Sequence, residues 1–135
     1  APGYSKKLAA YLRERAQTDP QFKLARNLRN KLFKVLKGKG IRKTMSSLKL
    51  CGISKEGLEK HIESLWQPGM SWDNWAFDGW HLDHIMPIDS FDLTKLEEQK
   101  KCFSYKNLQP LWWEQNLAKG NKLNYIIPKR RHEDV

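Results

Sequence analysis

Three polar side chains interrupt an apolar run in the segment WHLDHIMPI, residues 80–88. A half-buried strand alternates polar and apolar residues, yet here His81, Asp83 and His84 crowd together. The β-propensity rises from residue 79 to residue 85, and Pro87 ends the strand because proline cannot donate to a sheet ladder. The segment predicts a short strand that carries more polar groups than strand patterning requires.

A second extended segment and a helix follow after a loop. The sequence NLQPLW, residues 107–112, predicts another short strand, and WEQNLAKGNK begins as a helix that Gly120 ends. Between the strands, Thr94 and Glu97 have the spacing of a capping box, which predicts a short helix running to about Cys102. The predicted order is strand, long loop, strand, helix.

Two longer helices are predicted upstream. Apolar residues recur at helical spacing over residues 4–17, and then Asp19 and Pro20 give an N-cap and a first helical residue. The sequence GKG, residues 38–40, ends the second helix. The apolar stripe predicted for that helix consists of Ala25, Leu28, Leu32, Val35 and Leu36.

Residues 42–66 have the spacing of a helix-turn-helix, with a turn at Gly52 and a second helix capped by Ser54. This pattern keeps a non-catalytic DNA-binding module as an alternative function. The second helix, however, has more glutamates than lysines, and DNA affinity depends mainly on attraction to phosphates. Packing is therefore favoured over groove reading for this segment.

Positive charge is concentrated at the N-terminal end of the chain. Residues 1–50, 51–100 and 101–135 carry net charges of +12, −6 and +4. A basic segment of this kind suits a polyanion, because each neutralised phosphate releases condensed counterions. A solvated surface, or a structural domain that grips RNA or an acidic protein, remains an alternative.

Length and composition exclude several classes of protein. The 135 residues suffice for one domain with a modest core. The sequence contains neither an apolar run long enough for a membrane span nor the apolar core of a signal peptide, so we expect a cytoplasmic protein without membrane contact. Cys51 and Cys102 lie too far apart for a zinc ribbon, and we expect buried reduced thiols.

Asp83 and His84 together suggest hydrolysis of a phosphodiester. That reaction needs a hard cation to offset charge on the phosphate and a base to deprotonate water. Oxygen ligands from Asp and Asn suit Mg²⁺, and a histidine suits the base. A polar strand end facing solvent would explain any one residue, but more polar residues follow downstream: Asn107, Gln109, Asn116, Lys119 and Lys122.

The segment HLDHIMP, followed after a loop by NLQPLWWEQNLAKGNK, resembles the HNH endonucleases. Their core is two antiparallel strands and a helix around one metal ion. The resemblance covers residues 80–122, and GISKEGLEKHIESLWQPGMSWDN also resembles the lead-in of phage and mobile-element members. It implies a ββα-metal module within residues 51–135, in a bacterial or phage-infected cell. The basic N-terminal helices, residues 1–50, resemble no family, and we expect them to be a DNA-binding arm that precedes this module in an α+β fold.

The resemblance also implies a role for each site residue. His84 would be the general base, Asp83 and Asn116 the metal ligands, and Asn107 a brace for the loop that aims the histidine. Related toxin nucleases such as colicins have histidines and can hold zinc. Asp83 and Asn116 instead favour one Mg²⁺ or Mn²⁺ ion in each active site.

The role of His81 stays open between a contact to the substrate phosphate and an orienting contact to Asp83. Alternation places both side chains on one strand face. We expect phosphate contacts from basic residues, with little sequence specificity. The candidate DNA-binding residues are Lys23, Arg26, Arg29, Lys34, Lys37, Arg42, Lys119 and Lys122.

The expected function is therefore metal-dependent cleavage of double-stranded DNA, leaving 5′-phosphate and 3′-hydroxyl ends. A single site cuts one strand, so a monomer would nick, and a double-strand break would need a dimer or two binding events. Homing, restriction, DNA packaging and defence are equally compatible with the motif.

Overall fold

A two-stranded antiparallel sheet joins the two segments that the sequence marks as strands. The fold is a computed structural model that describes residues 2–122, 125 and 127, without the side chains of residues 2–4. Its strands are β1 (Trp80–His84) and β2 (Leu108–Trp112). Its helices are α1 (Pro2–Thr18), α2 (Pro20–Gly38), α3 (Ser47–Cys51), α4 (Lys55–Ser64), α5 (Leu96–Phe103) and α6 (Trp113–Lys119). The mixed helix and strand content confirms the α+β class.

Both strands are edge strands, and side chains bond their outer carbonyl groups. Leu82 and Pro110 lie opposite each other in a non-hydrogen-bonded pair, so the Leu82 carbonyl points outward and the missing N–H of the proline removes no ladder bond. Lys31 Nζ donates to the Leu82 carbonyl at 2.8 Å, and Lys119 Nζ donates to the His84 carbonyl at 2.9 Å. On the β2 side, His61 Nε2 bonds the Leu108 carbonyl at 3.1 Å. An isolated two-stranded sheet is marginally stable, and α2, α4 and α6 supply the missing partners.

Helix α2 contributes a stripe of leucines to the main core. Its fully buried residues are Leu24, Leu28, Leu32 and Leu36. The prediction that Ala25 and Val35 belong to this stripe was wrong in detail, because both are half-buried and Leu24 takes the central position. The four-residue spacing of the leucines turns the helix so that they face α4, where Leu58 and Ile62 are completely buried. The basic helix is thus part of the core, and the expected boundary after residue 50 falls inside α3.

Four tryptophans pack together at the start of β1. Trp80 is fully buried and stacks on Trp75 with ring centroids 5.0 Å apart. Trp66 and Trp72 meet Trp80 edge-on, and Trp80 Nε1 donates to the Ser71 carbonyl at 2.7 Å. This cluster anchors the first residue of the strand.

The caps and thiols confirm most of the local predictions. Asp19 accepts a hydrogen bond from the Phe22 N–H at 3.1 Å and caps α2. The prediction of a capping box at Thr94 is wrong. Helix α5 begins at Leu96, and both the Thr94 N–H and the Thr94 hydroxyl donate to Asp92 Oδ1. Such an aspartate turn competes with helix initiation. Burial raises the pKa of the Cys51 thiol to about 11, in keeping with a reduced, unreactive side chain.

The predicted helix-turn-helix elements are present as α3 and α4. Gly52 makes the turn at φ 75°, and Ser54 accepts a hydrogen bond from the Gly57 N–H at 3.0 Å. The outer face of α4 is acidic: Glu56 pairs with Lys60, and Glu63 accepts from the Trp72 indole. Among the described residues, no helix is both long and apolar enough to cross a membrane.

Two backbone segments approach each other closely at Gly79, just before β1, and a substitution there tests this packing. A Cβ there would lie 1.8 Å from the Asn74 carbonyl oxygen, so Gly79→Ala should destabilise the fold by about 2–3 kcal/mol or more. Gly38→Ala is the matched control, because its Cβ meets nothing within 4 Å and alanine favours the helix. Urea unfolding measures both, and equal stability of the two variants would contradict the packing at Gly79.

Candidate active site

His81 and Asp83 face the helix that follows β2. The Asn116 Nδ2 group donates to His81 Nδ1 at 3.0 Å, and Lys119 Nζ lies 3.4 Å from both oxygens of Asp83. Residues three apart on a helix lie on one side of it, and residues two apart on a strand share a face. Asn116 and Lys119 on α6 are therefore spaced to meet His81 and Asp83 on β1, and α6 covers the polar face of the strand.

Asp83 and Lys119 form a buried ion pair. The side chains of Lys119 and Asp83 are only 3% and 10% exposed. Gln109, directly opposite Asp83 in the register, donates its amide to Asp83 Oδ2 at 3.0 Å. Lys119 is predicted from the sequence to contact DNA, whereas in the structure its ammonium is buried between Asp83 and the His84 carbonyl. Each charge needs the other, because an unpaired buried ion is costly.

His84 points to the opposite face of β1 and is buried. Its ring lies edge-on to Phe103 with centroids 5.0 Å apart, and its Nε2 atom has no hydrogen-bond partner within the described part of the chain. Burial lowers the pKa of His84 from 6.5 to about 3, with further lowering from the nearby charges of Lys31 and Lys119. The imidazole is therefore neutral near pH 7.

Asn107 ties the end of β1 to the loop before β2. Its Oδ1 accepts from the Met86 N–H at 2.8 Å, and its Nδ2 donates to the Met86 carbonyl at 3.1 Å and the Cys102 carbonyl at 2.9 Å. The Ile85 N–H also bonds the Asn107 carbonyl at 2.8 Å. These bonds fix the backbone on the C-terminal side of His84.

Asn116 meets His81 rather than Asp83. His81 Nε2 donates to the Phe77 carbonyl at 3.0 Å, which leaves Nδ1 as the acceptor for Asn116. Across the residues that the structure covers, Asp83 and Asn116 share no hydrogen-bond partner, and His81 makes no hydrogen bond to Asp83. The two expected metal ligands lie on one face of the site without a common contact.

The donor set fits a hard cation with few protein ligands better than zinc. The described residues contain no group of three or more His, Cys, Asp or Glu side chains placed to hold a metal. Asp83 and the Asn116 amide oxygen would suffice for Mg²⁺, which keeps most of its waters. The Lys119 ammonium contacts both carboxylate oxygens of Asp83. A metal ion at Asp83 would therefore have to displace this ammonium or share the carboxylate with it.

Lys31 reaches the site from α2 and is not among the site residues predicted from the sequence. Its spacing of four residues from Asn27 and eight from Lys23 is a signal, but such a pattern is also typical of a solvated helix flank. Of the predicted DNA contacts, Lys23 is half-buried with its ammonium on the Trp75 carbonyl. Arg26 and Arg29 line a separate cleft of about 290 Å³, and the remaining cations are exposed: Lys34, Lys37, Arg42 and Lys122.

Asn107→Ala should destabilise the protein by roughly 2–4 kcal/mol, because three hydrogen bonds are lost and buried backbone groups are left unpaired. Asn30→Ala on the exposed side of α2 is the control and should change the free energy of unfolding by less than about 0.5 kcal/mol. Chemical denaturation provides the measurement. Similar stabilities for the two variants would show that the Asn107 bonds do not hold the loop.

A double-mutant cycle tests the buried ion pair. Asp83→Asn or Lys119→Met alone should each cost about 3 kcal/mol, since each leaves one buried charge unpaired. The double variant should be more stable than the sum of the two single effects predicts, by about 1 kcal/mol or more. Urea unfolding in the presence of a chelator gives the three values. Simple additivity would mean that the pair is not formed.

Comparisons with known proteins find sequence relatives without an assigned function. No protein-family model matches the chain, and no solved structure matches it. The chain is 36% identical over 111 residues to the uncharacterized protein L426 of Acanthamoeba polyphaga mimivirus, covering 82% of this chain and 48% of the relative. It is 31% identical over 121 residues to the uncharacterized protein L246 of the same virus, covering 90% and 52%. The chain spans about half the length of the curated relatives it matches.

Proposed function

We propose that this chain is a metal-dependent HNH endonuclease that hydrolyses DNA phosphodiester bonds. The observation that carries the proposal is the neutral imidazole of His84, whose buried Nε2 has no partner among the described residues, next in sequence to the carboxylate of Asp83. The antiparallel pairing of β1 with β2, followed directly by α6, is the strand–strand–helix order that the resemblance implies.

In this mechanism His84 accepts the proton of the attacking water. Neutral imidazole is the form required for that step, and Asn107 holds the backbone beside it. Asp83 and Asn116 would hold a Mg²⁺ or Mn²⁺ ion, which would offset the charge on the phosphate and on the departing 3′ oxygen. The products would be a 5′-phosphate and a 3′-hydroxyl, with one strand cut by each active site.

The role we propose for His81 is to position Asn116. The Asn116 amide N–H groups and oxygen have distinct roles: Nδ2 donates to His81 Nδ1, and the oxygen remains for a cation. The His81 ring is itself held by the Phe77 carbonyl. This chain of contacts favours an orienting role toward Asn116 over the orienting contact with Asp83 that the sequence suggested.

The helix-turn-helix alternative has less support than the nuclease. Helix α4 buries Leu58 and Ile62 against α2 and presents glutamates outward, which opposes insertion into a groove of DNA. Two cations of α2, Lys23 and Lys31, instead line a cleft together with the site residues His81 and Asn116.

His84→Ala should lower the rate of plasmid nicking by about 100-fold or more, because removal of a general base costs about that factor. The assay is relaxation of supercoiled plasmid with Mg²⁺ or Mn²⁺, and duplex binding in chelator should be unchanged. A chelator should also abolish nicking by the wild-type protein. Equal nicking by the wild type and the variant would rule out His84 as the base.

A further inference from the structure

Three polar side chains of α2 face the candidate site. Lys23, Asn27 and Lys31 recur every four residues, so they lie along one flank of the helix beside the leucine stripe. Together with His81 and Asn116 they line a cleft of about 440 Å³. One wall of this cleft therefore comes from α2, which lies outside the strand–strand–helix unit.

Each of the three groups has a feature that suits a ligand. Lys31 Nζ lies on the outer edge of β1, 2.8 Å from the Leu82 carbonyl, and its charge acts on both neighbouring site residues, Asp83 and His84. Lys23 Nζ lies 4.4 Å from the centroid of the Trp75 ring. The Asn27 amide oxygen is buried without a hydrogen-bond partner in the described ranges, and such atoms are normally satisfied by a ligand or an ordered water.

The charge of the cleft favours an anion. The ammonium of Lys31 interacts with the charge of Asp83, and Asp83 is already paired with the buried Lys119. Each of the two ammonium groups on this helix flank bonds one backbone carbonyl and keeps further N–H donors for a phosphate. Eight residues of helix separate their Cα atoms by about 12 Å, so the two ammonium groups can reach different phosphates of one strand.

We propose that α2 forms the second wall of the DNA path: Lys31 contacts the scissile phosphate beside His84, and Lys23 contacts a phosphate farther along the same strand. This inference rests on the proposed nuclease function. Because the leucine stripe holds α2 in the core, the position of the Lys31 ammonium is fixed before DNA binds. Lys31 is then a catalytic residue that the motif alone does not contain.

Lys31→Gln tests the contact, with Lys31→Arg to restore the charge and Lys60→Gln as the control. Lys60 is an exposed lysine on the acidic face of α4, and it is not one of the described residues that line the cleft. Two quantities are measured on a short fluorescent DNA duplex: single-turnover cleavage at saturating protein, and the salt dependence of binding in chelator. Thermal unfolding of each variant establishes that it is folded.

We expect Lys31→Gln to slow cleavage by about 10- to 100-fold and to reduce the slope of log affinity against log salt by about 1. Lys31→Arg should recover most of both, and Lys60→Gln should change neither. If Lys31 only bonds the strand edge, Lys31→Gln lowers thermal stability while the salt slope and the cleavage rate stay at wild-type values, which overturns the inference.

The same experiment separates this inference from the proposed function. Cleavage by the wild type with an unaffected Lys31→Gln variant overturns the role of Lys31 and leaves the nuclease intact. Absence of cleavage by the wild type with metal present contradicts the nuclease. In that case the salt slope still decides whether Lys31 contacts a phosphate, and an unchanged slope overturns the contact.

Discussion

A sheet of two strands has no interior strand, so half of its backbone groups point away from the partner and need other bonds. In this protein Lys31, Lys119 and His61 bond three of the outward carbonyls. Each of these side chains comes from a different helix: α2 and α4 pack against each other in the leucine core, and α6 packs on both strands. Satisfying the sheet edges therefore determines how α2, α4 and α6 are arranged.

The same bonds create the chemistry of the site. Two of the three edge-capping groups are ammoniums, so they bring positive charge into a buried region next to Asp83 and His84. That charge, together with burial, keeps His84 neutral, while Asp83 forms a buried ion pair with Lys119. An arrangement required by the sheet thus brings a neutral imidazole, a carboxylate and cations into one region.

Much of the local structure was predictable because its causes lie within a few residues. The strand at residues 80–84, the helix that Gly120 ends and the Asp19 cap depend on neighbouring side chains and turn residues. The burial of Lys119 was not predictable, because it depends on Asp83, which is 36 residues away in sequence. Lys31 was missed for the same reason: only the packing of α2 against β1 distinguishes it from an exposed lysine. The catalytic roles themselves remain proposals from resemblance and geometry.

The central claim is that the region around Asp83 and His84 hydrolyses a DNA phosphodiester with water as the nucleophile. The most direct measurement is the chemistry of the ends at nicks made in a plasmid. The account predicts nicks that DNA ligase alone reseals, because they carry a 5′-phosphate and a 3′-hydroxyl. Nicks that need removal of a 3′-phosphate before resealing, or a plasmid that stays supercoiled with Mg²⁺ and with Mn²⁺, would contradict it.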